Sequence, residues 1–212
     1  MRPVEIVAAE VSKRLRALEF SRTTGRVYVR HLGDEAVGWV SLNSASRHRP
    51  PGVVEVNPIV SVRHVGIEHL VTELRGDRPS APQQVTIGSP LGYLMPEARY
   101  RGWVIDTTRP QETVEQVQDI VTALQKYGLP YMEKYADLTT LRSKLDAVSR
   151  HDQPAMYRRP VAWLLTGRPD QARTELQRVR EELGSRADIA AEQFRSFAQK
   201  LEERLAAATH ER

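Results

Sequence analysis

The spacing of apolar residues changes near residue 107 of this 212-residue chain, and that change limits the folds it can adopt. Before residue 107, apolar side chains recur at every second position, as in "VVEVNPIVSV" (53–62). A period of two indicates strands. After residue 107 they recur at every third or fourth position, as in "VEQVQDIVTAL" (114–124), which indicates helices. The sequence therefore predicts a sheet region followed by a helical region.

The order of these segments predicts an α+β fold, because strands are grouped first and helices second. We expect an N-terminal helix on an antiparallel sheet of about five strands with one inserted helix, followed by an all-helical C-terminal half. Residues 1–150 are predicted to form an α+β domain, and 151–212 a helical hairpin plus a C-terminal helix. The second region could also pack as one unit with the first. The predicted strands are 25–32, 36–43, 53–63, 83–88 and 99–106, and the inserted helix ends at Gly76.

Three prolines and a threonine predict local structure. Pro58 lacks a backbone donor, so its strand is expected to lie at a sheet edge or to be bulged there. Thr108 has capping-box spacing to Gln111, and Pro110 suits the first turn of a helix. Pro130 is expected to start a new helix.

Three tyrosines occur four residues apart in "KYGLPYMEKYADL" (126–138), at positions 127, 131 and 135. Gly128 is a plausible helix C-cap, so Tyr127 is predicted to belong to a different helix from Tyr131 and Tyr135. Without a continuous stripe the rings are interpreted as cover for the core and not as a ligand platform. Asp137 is predicted to cap the next helix.

Composition excludes several kinds of chemistry. The chain has no cysteine, so disulfides, thiolate catalysis and cysteine zinc sites are ruled out. Its first 20 residues are charged throughout, and no apolar run approaches a bilayer span, so we expect no signal peptide and no membrane segment. A cytoplasmic, bacterial protein is the expectation.

The net charge of +4 is weak support for nucleic-acid binding. Of the 31 basic residues only five are lysine, a bias typical of GC-rich codon usage. Basic and acidic residues are also spread evenly, whereas a phosphate-binding face shows local clustering. The arginines that could still contact nucleic acid lie in two loops, as Arg47, Arg49, Arg99 and Arg101.

The segment "TIGSPLGYLMP" (86–96) contains the candidate protein-contact residues. It matches neither a phosphate-binding loop nor a nucleophile elbow, because a strand and not a helix is expected after it. Its apolar side chains could form a contact patch for another protein or could fold under the sheet, and the sequence leaves both open. These residues are Leu91, Tyr93, Leu94 and Met95.

A metal site is not predicted. His64 and His69 are five residues apart in "RHVGIEH", so on a helix they point in different directions, and Glu68 adjoins only one of them. An enzyme using His64, Glu68 or Asp106 would need these side chains to converge in a pocket. No catalytic residue, cofactor or metal is assigned.

Two resemblances add expectations. The segments "GLPYMEKYADLTTL" and "LRALEFSR", with the hairpin between them, resemble a group of uncharacterised bacterial α+β proteins, in which a glycine stands at the position of Glu19. Such proteins often accompany toxin–immunity or phage-defence gene sets, so the resemblance implies an interaction role. The stretch 161–179 resembles one tetratricopeptide unit, with Gly167 and Ala172 at that family's spacing; one unit alone implies a lone helical hairpin.

We therefore expect a non-catalytic cytoplasmic protein that binds another protein, as an immunity or phage-defence accessory factor. The alternative is a nucleic-acid-associated protein using its arginine-rich loops, and a second alternative is an enzyme of unknown type. Binding that falls steeply with salt would favour nucleic acid.

Overall fold

A computed structural model describes residues 2–78, 84–149 and 152–210. In chain order its elements are α1 (Pro3–Leu15), a 3₁₀ turn (Arg16–Leu18), β1 (Ser21–Arg22), β2 (Val27–His31), β3 (Ala36–Ala45), β4 (Val53–His64), α2 (Val65–Arg75), β5 (Ile87–Pro90), a second 3₁₀ turn (Leu91–Leu94), β6 (Trp103–Asp106), α3 (Pro110–Ala123), a π-helical turn (Leu124–Gly128), α4 (Leu129–Ala136), α5 (Leu138–Asp146), α6 (Gln153–Leu165), α7 (Pro169–Leu183) and α8 (Ile189–His210). The predicted α+β class is confirmed: an N-terminal helix, an antiparallel sheet and a helical C-terminal half.

The chain forms two compact units that do not follow the expected division at residue 150. Unit 1 comprises Met1–Arg63 and Ile87–Ala136, and unit 2 comprises His64–Thr86 and Asp137–Arg212. The inserted helix α2 belongs to unit 2 because it packs on α6 and α8. Sequence order cannot show this, since α2 lies between two strands of the sheet.

The sheet of unit 1 has the strand order β1-β2-β3-β4-β5, and β6 also pairs with β4. The N-terminal part of β4, Val53–Val56, pairs with β6, and its C-terminal part, Ile59–Val62, pairs with β5. Pro58 lies between these two paired segments. Of the two predicted possibilities, the edge strand was wrong, because β4 is interior, and the bulge stays a prediction. The proline occupies the gap between β6 and β5, where neither strand requires its missing N–H.

The core of unit 1 lies on one face of this sheet. The alternating valines of β4 (Val54, Val56, Val60 and Val62) are almost fully buried, as the period of two predicted. The Tyr28 hydroxyl on β2 donates to the Ala8 carbonyl of α1 at 2.6 Å. Met132 of α4 packs directly on Gly38 of β3, where a side chain would not fit. Helices α1 and α4 therefore cover this face.

The helix that begins at Pro110 continues without a break to Ala136, which corrects three predictions. Gly128 does not end it, Pro130 does not start a new one, and Tyr127 lies on the same helix as Tyr131 and Tyr135. Proline has no N–H and its ring crowds the carbonyl four residues earlier, and the chain accommodates both effects by widening into a π-helical turn just before it. The predicted capping box is also wrong, because the N-cap residue is Arg109, which makes no side-chain cap, and the Thr108 hydroxyl instead donates to Asp106 Oδ1 at 2.6 Å.

The tyrosines on this helix act as packing residues. Tyr131 and Tyr135 meet edge to face with ring centroids 4.8 Å apart, and both are half-buried. Burial raises the pKa of Tyr131 well above its ordinary value. Tyr127 lies beside Lys126, whose ammonium is 5.3 Å from its ring centroid.

Unit 2 is a helical assembly around three aromatic rings. Tyr157 of α6 lies with its ring centroid 5.6 Å from that of Phe194 and 5.0 Å from that of Phe197, both on α8. Ala172 is fully buried where α7 packs on α6. The Asp137 side chain caps α5 by accepting from the Thr140 amide at 2.8 Å, as predicted. None of the helices in the described ranges is long and apolar enough to cross a membrane.

Candidate protein-binding surface

The 3₁₀ turn Leu91–Leu94 is held against the approach to β6 by a glycine. A Cβ on Gly92 would lie 2.5 Å from the Arg99 carbonyl oxygen and 2.8 Å from the Arg101 amide nitrogen. Only a residue without a side chain allows this contact between backbones. Gly92 therefore brings the segment that carries Tyr93 next to the segment that carries Tyr100.

The four predicted contact residues are divided between core and surface. Leu91 is fully buried, whereas Tyr93 retains 51% of its surface exposed. Leu94 and Met95 are half-buried. The sequence left open whether this segment covers the core or faces outward. In the structure Leu91 covers the core and Tyr93 faces outward.

A tight turn then reverses the chain. The Ala98 amide donates to the Met95 carbonyl at 2.9 Å, with Pro96 at the second position of the turn, which its fixed φ suits. After the turn come two more exposed apolar side chains, Tyr100 at 57% and Val104 at 48%. Neither was singled out from the sequence.

Tyr100 is positioned by an ion pair on the same part of the sheet. Its hydroxyl donates to Glu55 Oε1 at 2.7 Å, and Arg49 pairs with Glu55 Oε2. The Glu55 side chain lies over Gly102, where a Cβ would be 2.0 Å from the carboxylate oxygen. The hydrogen bond from Tyr100, followed by that from Arg49, lowers the pKa of Glu55.

A second ion pair holds the start of β6. Arg101 Nη2 lies 2.7 Å from Asp119 Oδ2, and the Trp103 indole N–H donates to the same oxygen at 2.7 Å. The Arg101 guanidinium also stacks over the Trp103 ring, 4.7 Å from its centroid. From β4, the Asn57 side-chain amide donates to the Arg101 carbonyl at 2.8 Å. These bonds fix the backbone of residues 101–103.

One edge of β6 faces away from its partner strand. The Thr107 amide donates to the Gly52 carbonyl at 2.9 Å, and the pairing continues with Ile105 opposite Val54 and Val104 opposite Glu55. Since hydrogen-bonded and non-hydrogen-bonded pairs alternate in an antiparallel ladder, the N–H and C=O of Val104 point away from β4. No hydrogen bond to them is present in the described part of the chain outside the paired strands.

We call the side chains that surround this edge the tyrosine surface. Beside it is a cleft of about 350 Å³ whose lining includes Glu97, Arg99 and Tyr100. The tyrosine surface consists of Tyr93, Leu94, Met95, Arg99, Tyr100 and Val104.

The four arginines proposed for nucleic-acid contact fall into two classes. Arg49 and Arg101 are paired with carboxylates and so bring little uncompensated positive charge. Arg47 and Arg99 are exposed and have no ion pair among the described residues. Two separate cations do not make the continuous basic patch that phosphate binding requires.

The three residues considered for an enzyme each have an assigned environment. Glu68, in unit 2, accepts two hydrogen bonds from Arg158. Asp106, in unit 1, accepts from the amide and hydroxyl of Thr108, which lowers the pKa of its carboxyl. His64 is buried in unit 2, and its backbone amide donates to Thr86 Oγ1 at 2.9 Å. Over residues 2–78, 84–149 and 152–210, no group of three histidine, cysteine or acidic side chains is placed to hold a metal ion.

The sequence reasoning missed Tyr100 and Val104 although a signal was present. In "RYRGWVID" the alternation places Trp103 and Ile105 on one face and Gly102 and Val104 on the other. An apolar Val104 on the face opposite to the core was therefore visible as an exception. What the sequence could not show is that Gly92 brings Tyr93 beside this strand.

The chain matches no known protein-family model, and no curated protein or solved structure matches it at a significant level.

Proposed function

We propose that this protein binds an extended, acidic segment of another protein on the tyrosine surface. The observation that carries the proposal is the exposure of Tyr93, Tyr100 and Val104 around a strand edge whose outward N–H and C=O groups have no partner strand among the residues that the structure describes. An extended segment can add to such an edge by main-chain hydrogen bonds.

The composition of the surface supports binding to protein. Tyrosine, methionine and arginine are enriched in the cores of protein interfaces, and tyrosine buries a large area at low entropic cost. Tyr100 is also held in place by Glu55 before any partner arrives, which reduces the ordering that binding would require. Exposed strand edges are otherwise covered or charged in native proteins, since they invite pairing.

The charge of the surface supports an acidic partner. Arg99 borders the cleft and lacks a carboxylate partner in the described part of the chain, and Arg47 is exposed in the neighbouring loop region. An aspartate or glutamate in the bound segment would supply that partner. The Val104 side chain and the Tyr100 ring would then contact apolar residues on one face of the added strand.

The resemblance to immunity- and defence-associated bacterial proteins extends the proposal. The partner would then be a protein of a bacterial toxin–immunity or phage-defence system, which this chain would bind in the cytoplasm. The chain would be an accessory factor without catalytic activity of its own.

Site-specific photocrosslinking in the native host tests the proposal. A photoreactive phenylalanine analogue replaces Tyr93 or Tyr100, and a control chain carries it at Val114, which is 41% exposed on α3. We expect one discrete protein adduct from positions 93 and 100 and none from 114. The adducted peptide, identified by mass spectrometry, should be extended and acidic.

Three further arms of the experiment complete the test. The adduct should disappear when Val104 is replaced by proline, which removes the outward N–H of the strand edge. It should persist after nuclease treatment and change little between low and moderate salt. Equal adducts at all three positions, or a nucleic-acid adduct that falls steeply with salt, would contradict the proposal and favour the arginine-loop alternative.

A further inference from the structure

We infer that a cleft in unit 2 binds a small carboxylate through the guanidinium of Arg158. The cleft has a volume of about 300 Å³ and lies wholly within unit 2. That size is at the lower end of small-molecule sites. Its lining includes Glu68, Arg75, Gln153, Tyr157, Arg158 and Gln193.

Arg158 is held in one orientation by a buried carboxylate. Its Nε donates to Glu68 Oε1 at 2.7 Å and its Nη2 to Glu68 Oε2 at 3.1 Å. The Glu68 side chain is only 1% exposed and that of Arg158 15% exposed. A bidentate pair of this kind fixes the plane of the guanidinium, so the position of its remaining donors is also fixed.

The remaining donors of Arg158 form a second fork. A guanidinium has five N–H groups, and Glu68 uses one on Nε and one on Nη2. The other N–H of Nη2 and one N–H of Nη1 are parallel, which is the arrangement that binds a carboxylate with two hydrogen bonds. No described residue accepts from Nη1. Because Arg158 lines the cleft, a ligand there can reach these donors.

The surroundings favour a singly charged carboxylate over phosphate. The other lining cation, Arg75, is paired with Asp77 at 2.9 Å and stacked on Tyr157, with its guanidinium 4.7 Å from the ring centroid. Two helices begin at the cleft, and a capping aspartate already occupies the N-terminus of each: Asp152 accepts from the Ala155 amide in α6 and Asp188 from the Ala191 amide in α8. Phosphate sites at helix N-termini rely on free amides of this kind. One fork without further free cations suits a monoanion.

The glutamine side chains that line the cleft indicate which other groups the ligand carries. Gln84, Gln153 and Gln193 line the cleft, and each amide can both donate and accept a hydrogen bond. A hydroxyl or amide group next to the carboxylate would be recognised by them. The ligand class is therefore a small carboxylate with a polar uncharged substituent, either a free hydroxy acid or the carboxyl end of a peptide.

Titrations of the full-length protein, followed by amide and arginine Nε NMR shifts, test this site. The probes are lactate, for a free hydroxy acid, and N-acetylglycine, for a peptide end, each compared with its neutral amide, lactamide or N-acetylglycinamide. We expect one or both carboxylates to shift the signals of Arg158 and Gln193, with the stronger probe identifying the source. The neutral amides and inorganic phosphate should bind at least about tenfold more weakly.

Substitutions in and away from the cleft test whether the ligand binds there. Arg158→Lys keeps the charge beside Glu68 but removes the fork, and it should weaken binding about tenfold. Arg180→Lys is the matched control, since Arg180 forms a bidentate pair with Glu202 elsewhere in unit 2 and should bind like the wild type. Gln193→Ala leaves the ion pair intact and keeps the test valid if Arg158→Lys fails to fold. Equal affinity for carboxylates and amides, no shifts at tens of millimolar, or unchanged affinity in Gln193→Ala and Arg158→Lys would overturn the inference.

Discussion

Two pairs of arginines, one pair from each compact unit, have contrasting environments. In unit 2, Arg159 is buried and Arg158 is partly buried, and both are fixed by carboxylates and carbonyls of their own unit. In unit 1, Arg47 and Arg99 are exposed without an ion pair in the described ranges. A composition rich in arginine thus has no single meaning: a buried guanidinium satisfies polar groups of the fold, and an exposed one remains available to a partner.

Exposed apolar side chains are also arranged differently. In unit 1, Tyr93, Tyr100 and Val104 surround one strand edge, whereas the exposed apolar residues of unit 2 lie on three different helices and its aromatic rings meet one another in the core. Substitutions in the core of unit 2 should therefore affect stability, and substitutions on the tyrosine surface should affect binding. Five measurements can test this difference.

The largest loss of stability is expected from Arg159→Met. Arg159 donates to the Leu145 carbonyl at 2.8 Å and to the Ser149 carbonyl at 3.2 Å, and it faces Glu175 at 3.6 Å. Its removal takes the buried guanidinium from all three groups, so that Glu175 keeps Arg178 and the two carbonyls keep only backbone donors. This should lower the free energy of unfolding by about 3 kcal/mol. Urea unfolding and amide hydrogen exchange in α6 measure this loss. Arg168→Met, at an exposed arginine of the same unit, should change stability by less than about 0.5 kcal/mol.

Glu68→Leu should cost about 2 kcal/mol, because it leaves Arg158 without its carboxylate while 15% of that side chain still reaches solvent. The double variant Glu68→Leu/Arg158→Leu should recover at least half of this loss, since both charges are then removed from the protein interior. Thermal unfolding of the wild type, both single variants and the double variant measures the coupling. Additive losses would show that the pair does not act as a unit.

Gly92→Ala should destabilise unit 1 by about 2 kcal/mol. The new Cβ would meet the Arg99 carbonyl oxygen at 2.5 Å, and backbone atoms cannot move aside as a flexible side chain can. Hydrogen exchange should increase at β6 in particular. Gly66→Ala is the control, because its nearest contacts at 3.5 Å are ordinary and the change should be neutral. Similar effects of both substitutions would mean that the close approach at Gly92 is unimportant.

Tyr93→Ala and Tyr100→Ala should each change stability by no more than about 0.5 kcal/mol, because both rings are more than half exposed. Binding to the crosslinked partner should nevertheless weaken about thirtyfold, as expected for an interface hot spot. Calorimetric titration with the partner segment measures this change, with Val114→Ala as the surface control. A tyrosine variant that unfolds more easily but binds normally would place these rings in the fold and not in the interface.

Tyr100→Phe should have the smallest effect, a rise in the pKa of Glu55 toward its ordinary value. The tyrosine hydroxyl is the main cause of the lowered pKa, and Arg49 remains as the second. A carboxyl whose pKa is lower in the folded state stabilises the fold above the unfolded pKa, near 4.3, and that stability is lost as the pH falls through the lowered value. In Tyr100→Phe the contribution of Glu55 should be smaller, and its loss should be complete at a higher pH. Carbon-13 NMR titration of the Glu55 carboxyl, with Tyr127→Phe as control, measures the pKa directly.

Several features of the fold followed from local sequence. The valines of β4 are buried because alternate side chains point to one face of a strand. Asp137 caps α5, and Gly76 ends α2 in the left-handed region with φ at 70°, as residues of these types do. Glu19 also has a positive φ of 63°, in the left-handed region that glycine adopts most readily. These features depend on a few neighbouring residues.

Predictions failed where the local structure depends on contacts with residues that are distant in the sequence. Pro58 is tolerated in an interior strand because β5 and β6 leave a gap beside it, and the sequence of β4 contains no information about that gap. Gly128 stays helical because it packs tightly beside Val60 and Leu124, a contact that outweighs its tendency to end a helix. Tyr93 and Met95 of the tyrosine surface were among the contact residues predicted from the sequence. Tyr100 and Val104 were missed because their exposure depends on which face of β6 the helices cover.

The sequence by itself determined the kinds of elements, their order and the exclusion of cysteine chemistry, since hydrophobic period and residue chemistry act locally. The tertiary structure alone decided which arginines are satisfied internally and which face solvent. It also decided that α2 joins the C-terminal helices and that Gly92 brings two tyrosine-bearing segments together. The physical reason is that burial and pairing are properties of contacts between residues far apart in the chain, which no local pattern encodes.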